Sequence, residues 1–324
     1  MTRQTRYFVL GANGLLLVGL CAGLFAFLSR GPALVVPVNG AGEFSYVPVD
    51  ASVLAYANVR EVMLSDVRTS IRQVSPNGVG QQQLEQYLGL NLEEDIDHVL
   101  AFLAPGPDQG RPAGLVLFRG RFDLTRLEEV ARAAGATVDT YNGTRLVSVD
   151  TGDVGTLTMG FMEPGLVAVG DLGTVQLAAD RRSGGADITS NAQMMALVER
   201  VDVESNAWAF GRFGDLGNLG LLAEGVLEGM PAVSAFVVSG HVNGGLGGSL
   251  TLEGSDETVG QNLRDAFRGF VALAQAFTAG EPAWQTMVES LQLSGVGTAM
   301  TLSFRVPSET LDFVFSLVQG EVAF

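Results

Sequence analysis

Two histidines, one cysteine and no lysine leave this 324-residue chain few groups with which to do chemistry. A Ser-His-Asp arrangement would have to use His98, which follows Asp97 at the start of an apolar run, or His241, in SGHVNGG at the tip of a hairpin. No G-x-S-x-G turn accompanies either, and a surface imidazole beside a carboxylate accounts for both without catalysis. Paired carboxylates offer a second route, because glycoside hydrolysis needs only two acids facing each other across a cleft. Asp150 and Asp153 in VDTGDVG, with His241, are the candidates for such a carboxylate-dependent envelope hydrolase. The missing lysine excludes a Schiff base, a lysine general base and a phosphate-loop lysine.

Metal chemistry is equally constrained. A structural zinc site needs four N or S ligands, and two histidines with the lone Cys21 in an apolar stretch do not supply them. Calcium takes oxygens, and Glu93, Glu94, Asp95 and Asp97, Asp150 and Asp153, and Asp256 and Glu257 are the acidic clusters; none has the D-x-D-x-D-G spacing that wraps a loop around the ion. GGLGG at 244–248 has no following helix and reads as a flexible hairpin turn, and Asn142-Gly143-Thr144 is a turn before it is a glycosylation acceptor. Trp208 and Trp284 sit in apolar patterns and read as core residues. No metal and no cofactor is expected.

One segment is left for binding. Residues 211–240 are apolar and glycine-rich with four charges, and the helix expected from Leu216 to Met230 is weak, because each glycine costs up to about 1 kcal/mol relative to alanine. Weak, adaptable apolar segments line grooves, so Leu216, Leu219, Leu221, Leu222, Val226, Leu227 and Phe236 are the candidate ligand or partner surface.

Phe8 to Leu28 carries no charge, and as a helix it would be about 31 Å long, close to a bilayer core. Arg3 and Arg6 precede it and only Arg30 follows closely, which predicts a signal-anchor, an N-terminus in the cytoplasm and the bulk in the periplasm or outside a bacterial inner membrane. The lipid bilayer is then the partner of residues 8–28, with a protein or an apolar ligand as a further partner. Beyond residue 30 the chain holds 16 Arg against 35 acidic residues, which argues against nucleic acid and anionic headgroups as partners.

The elements expected to carry these residues begin after a Pro- and Gly-rich linker, 31–44. Apolar runs predict strands at 52–59, 99–105, 114–122, 155–161, 166–169 and 248–254, and Asn142-Gly143 joins strands at 137–141 and 145–149. Helices are expected after Val59, from Asp123 to a stop at Gly135, over 259–277, and after Pro307, following a strand at 296–306. DASVLAYANV at 50–59 resembles ESNAWAFGRF at 204–213, and VLAFL at 99–103 resembles VSAFV at 233–237, in the same order. The expected class is α+β: a transmembrane helix (1–30), the linker, and two tandem β-α-β-β-α lobes with antiparallel sheets, 45–190 and 191–324, helices on one face.

FSYVPVDASVLAYANV and the closing strand with its Pro-initiated helix resemble uncharacterised single-pass membrane-anchored bacterial envelope proteins. That resemblance implies an extracytoplasmic α+β protein and brings no activity with it. Together these features predict a non-enzymatic binding or interaction module, with the hydrolase and a structural subunit of an envelope complex as the alternatives.

Overall fold

Val53–Ala57, VLAYA, has no charged side chain on either face, so as a strand it needs cover on both sides and hydrogen-bonding partners along both edges. It finds them at the centre of one antiparallel sheet of twelve strands. The computed structural model describes residues 41–65, 92–105, 113–133, 135–150, 156–182, 184–202, 204–214, 232–242, 244–278 and 282–308. Its strands are β1 Val53–Ala57, β2 Ile96–Ala104, β3 Ala113–Gly120, β4 Thr137–Tyr141, β5 Thr144–Asp150, β6 Thr156–Glu163, β7 Leu166–Gly170, β8 Ala207–Arg212, β9 Val233–His241, β10 Gly245–Gly254, β11 Gln292–Ser294 and β12 Ala299–Pro307. The described helices are α1 Ala41–Phe44, α2 Val59–Met63, α3 Leu92–Asp95, α4 Leu124–Ala133, α5 Leu172–Arg182, α6 Ala192–Val198, α7 Glu257–Thr278 and α8 Pro282–Glu289. The strand order is β11-β12-β10-β9-β8-β1-β2-β3-β7-β6-β5-β4.

The two similar stretches of sequence become the two central strands. β1 and β8 pair antiparallel with Ala55 opposite Ala209, Leu54 opposite Phe210 and Tyr56 opposite Trp208. In the alignment of 50–59 with 204–213, Ala55 and Ala209 are equivalent, as are Leu54 and Trp208, and Tyr56 and Phe210, so the seam is a local pseudo-twofold. β2 flanks β1 as β9 flanks β8, and β3 and β10 follow. The register of the second pair differs from the VLAFL–VSAFV match: Ala101 lies opposite Ala55, while Val238, not Ala235, lies opposite Ala209.

Alternation of side chains divides the sheet into two faces. Leu54, Tyr56, Leu100, Phe102, Leu115, Leu117, Trp208 and Phe210 point to the first, where α2, α5, α6 and the chain around Phe44–Ala51 close the larger core. On the second face one row crosses every strand: Val138, Val147, Met159, Val169, Val116, Ala101, Ala55, Ala209, Val238, Leu250, Leu302 and Leu293, each directly opposite the next. All twelve are apolar. α7 covers one end through Leu263 and Phe267 over Phe236, Leu252 and Met300. α4 covers the other, its Glu128 reaching across to Arg145.

Three expectations are corrected. The two lobes do not keep separate sheets, because β1 and β8 would each be a largely apolar edge with unpaired backbone groups, and pairing them satisfies both. Helices lie on both faces rather than one, since both faces of the central strands are apolar. The transmembrane helix, the signal-anchor and the single-pass inner-membrane placement are also corrected: no helix among the described residues is long and apolar enough to cross a membrane. The longest of them, α7, carries Glu257, Arg264, Asp265 and Arg268. The stretch 8–28 lies outside the described residues.

Candidate functional site

Among the described residues no group of three or more His, Cys, Asp or Glu could hold a metal ion. The acidic clusters have other partners. Asp97 pairs with Arg60, and Asp256 caps α7 by accepting from Val259 N at 2.9 Å. Asp150 ends β5 and His241 ends β9, seven strand spacings apart in the sheet, on the order of 30 Å at about 4.8 Å each. The sheet therefore does not bring them together; His241 Nε2 instead lies 3.1 Å from Asp202 Oδ2. Asp153 lies outside the described residues.

The second histidine belongs to a buried polar cluster on the first face. Glu43 of α1, only 5% exposed, accepts from Arg119 Nε at 2.8 Å and has Oε1 3.2 Å from His98 Nε2. Arg119 also pairs with Glu163 at 2.7 Å. Burial alone would raise the Glu43 pKa, but the hydrogen bonds with His98 and Arg119 outweigh it and bring the carboxyl down to about 2. Burial works against the charge on Arg119, and Glu43 and Glu163 outweigh that too, so its pKa is raised. Burial, with Glu43 and Glu61 nearby, pushes the Tyr56 phenol above its usual value. Tyr56 stacks on Trp208, which stacks on Phe210, with ring centres 5.1 Å apart in each pair. Trp208 is a core residue, as its apolar surroundings in the sequence imply. The cluster has no nucleophile and little exposed surface. What it does is fasten α1 to β2 and β3.

At the other end of this strand pair, where β2 finishes and β3 begins, lies an open groove of about 320 Å³. Its floor is Phe102 and Ala104 of β2 and Ala113 of β3. One wall is α5, which presents Thr174, Leu177, Ala178 and Arg181 at spacings of three, one and three, a single helix face. Asp171 caps that helix by accepting from Thr174 N at 3.0 Å and takes the Thr174 hydroxyl as well. The other wall is Tyr46, Pro48 and Asp50. It is held by Ile188 N donating to Val47 O at 3.0 Å and Asn191 Nδ2 donating to Val49 O at 2.8 Å.

Two charges line this groove. Arg181 Nη1 donates to Ala186 O at 2.7 Å, and Asp50 is exposed. They do not pair with each other, and neither has an ionic partner among the described residues. Leu177 stands 49% exposed on the lip.

Of the residues expected to form a binding surface, Leu216, Leu219, Leu221, Leu222, Val226 and Leu227 lie outside the described residues. Phe236 is 8% exposed and packs in the second core under α7. Sequence reasoning did not single out Asp50 or Arg181. The signal for α5 was there, in Val175, Ala178 and Ala179 at core spacing after a capping Asp171, whereas the facing wall is an irregular segment with no periodicity to read.

No family model matches the chain, and no curated protein does. Among solved structures the chain is similar to TP0453 in crystal form I, at 10% identity and a TM-score of 0.45, over 86% of this chain and 98% of that one.

Proposed function

We propose that this chain is a non-enzymatic binding module whose ligand sits in the groove between α5 and the segment Tyr46–Asp50. The observation that carries this reading is the groove itself: an apolar floor flanked by two charges that have no ionic partner among the described residues. Small-molecule sites are concave and mostly apolar, with a few polar groups that orient the ligand, and about 320 Å³ falls at the small end of their range. The walls favour a preformed site. One is a capped helix packed on the sheet, and the other is tied by backbone and Asn191 hydrogen bonds. Preorganisation of this kind lowers the entropy lost on binding.

The test is a titration of the full chain with the neutral apolar fluorophore N-phenyl-1-naphthylamine, in parallel with Leu177→Asp. Leu177 is half-exposed, so the substitution leaves the core intact. A saturable fluorescence component lost in the variant supports the groove. Identical titrations of the two proteins sink it.

A further inference from the structure

The binding reading leaves open what the groove selects, and its two charges bear on that. We propose that it takes a small zwitterion with an apolar side chain, the chemistry of a free apolar amino acid; this rests on the binding reading above and names its ligand.

Asp50 and Arg181 stand on opposite walls, one on the Tyr46–Asp50 segment and one on α5. Each lacks an ionic partner among the described residues, although acids outnumber basic residues 35 to 19 in the whole chain. The one side-chain hydrogen bond of Arg181 among the described residues, from Nη1 to Ala186 O, leaves the other N–H groups of the guanidinium for a ligand carboxylate. Asp50 accepts no hydrogen bond among the described residues and is available to an ammonium. The Thr174 hydroxyl is already held by Asp171 and does not compete.

A ligand with only one of the two charges fits less well. A carboxylate alone would satisfy Arg181, leave Asp50 facing an apolar body, and approach a chain of net charge −16 against its field. An ammonium alone would leave Arg181 in the same position. A zwitterion meets both walls and carries no net charge. Its side chain then lies on Phe102 and Ala104, below Leu177.

Competition against bound N-phenyl-1-naphthylamine tests this. L-Leucine and L-phenylalanine should displace the groove-bound fluorophore, whereas N-acetyl-L-phenylalanine and L-phenylalaninamide, which keep only the carboxylate or only the ammonium, should need at least about tenfold more. Arg181→Gln and Asp50→Asn should each weaken displacement by the amino acids by about tenfold or more, measured relative to the same variant's own affinity for the fluorophore. Equal competition by the acetylated or the amidated form overturns the zwitterion, as does a failure of both amino acids to displace a fluorophore that binds. If the fluorophore shows no Leu177-dependent site, the binding reading itself has failed, and the two failures are separate.

Discussion

Glu43 is the residue where local chemistry and architecture meet. Its carboxyl is buried, bonded to Arg119 and His98, and held near a pKa of about 2. A group whose folded pKa is depressed adds stability that is fully present above its unfolded value and is lost as pH falls through the folded one. Wild type should therefore lose stability as pH drops from about 4.5 toward about 2. Glu43→Gln should unfold at lower urea at pH 7, by about 1 to 3 kcal/mol, because Arg119 and His98 lose a charged acceptor. It should also show a shallower decline in acid. Urea midpoints at pH 7 and pH 3 check both; a variant matching wild type at the two pH values would remove the cluster from the stability account. Neither Glu43 nor its partners were legible in the sequence as a set. The acid sits in a glycine-rich stretch read as linker, and strands from 98 and 119 had to be paired before their side chains met it.

At the scale of elements, glycines decide how closely pieces approach. A Cβ on Gly260 of α7 would come within 2.4 Å of Gly297 O and 2.7 Å of Thr298 O, and one on Gly254 within 2.8 Å of Gly260 N. The helix therefore starts in backbone contact with the end of β10 and the turn before β12. Arg264 reinforces this by donating to Gly297 O at 2.9 Å and Ala299 O at 2.7 Å. Gly260→Ala should push α7 away from the sheet and cost about 1 to 3 kcal/mol in thermal or urea unfolding, since the blocking atoms are backbone. The hairpin of β4 and β5 makes a milder test. Asn142 and Gly143 have φ of 46° and 78°, as a type I′ turn requires, and Asn142 Nδ2 and the Tyr141 hydroxyl donate to Asp180 of α5 at 2.6 and 2.9 Å. Gly143→Ala should cost about 1 kcal/mol, because only glycine takes that φ freely. No change in its melting temperature would mean that tertiary contacts, not the turn, set this register. The Asn-Gly pair was readable in advance since turn chemistry is local. GGLGG was not: Gly245 to Gly248 lie inside β10, paired with β12, and only distant partners put them there.

For the whole molecule the seam between β1 and β8 governs. Both strands are buried in the middle of the sheet, while β4 and the three-residue β11 form its edges. Backbone amides of Leu54, Tyr56, Trp208 and Phe210 should exchange with solvent last, and those of Val138 and Leu293 early. Hydrogen-exchange mass spectrometry resolves these peptides, and early exchange at the centre would mean that the halves separate before they unfold. The apolar row across the second face gives a further test. Ala55→Asp should cost at least about 2 kcal/mol, because it places an unpaired charge against Ala101, Ala209 and the covered residues beyond. A urea midpoint equal to that of wild type would show that solvent reaches the carboxylate.

The sequence by itself determined most strands, the helix stops and caps at Asp123 and Gly135 and the long helix α7, because periodicity, turns and caps act over a few residues. Only the tertiary structure decided that 50–59 and 204–213 pair in one sheet, that Ala55 and Ala209 mark its local twofold, and that Asp50 and Arg181 line one groove with Phe102 and Ala104. Those are pairings between residues some 130 to 155 positions apart. They depend on which edge strand finds which partner and on the burial that follows, and neither is written in any short window of the chain.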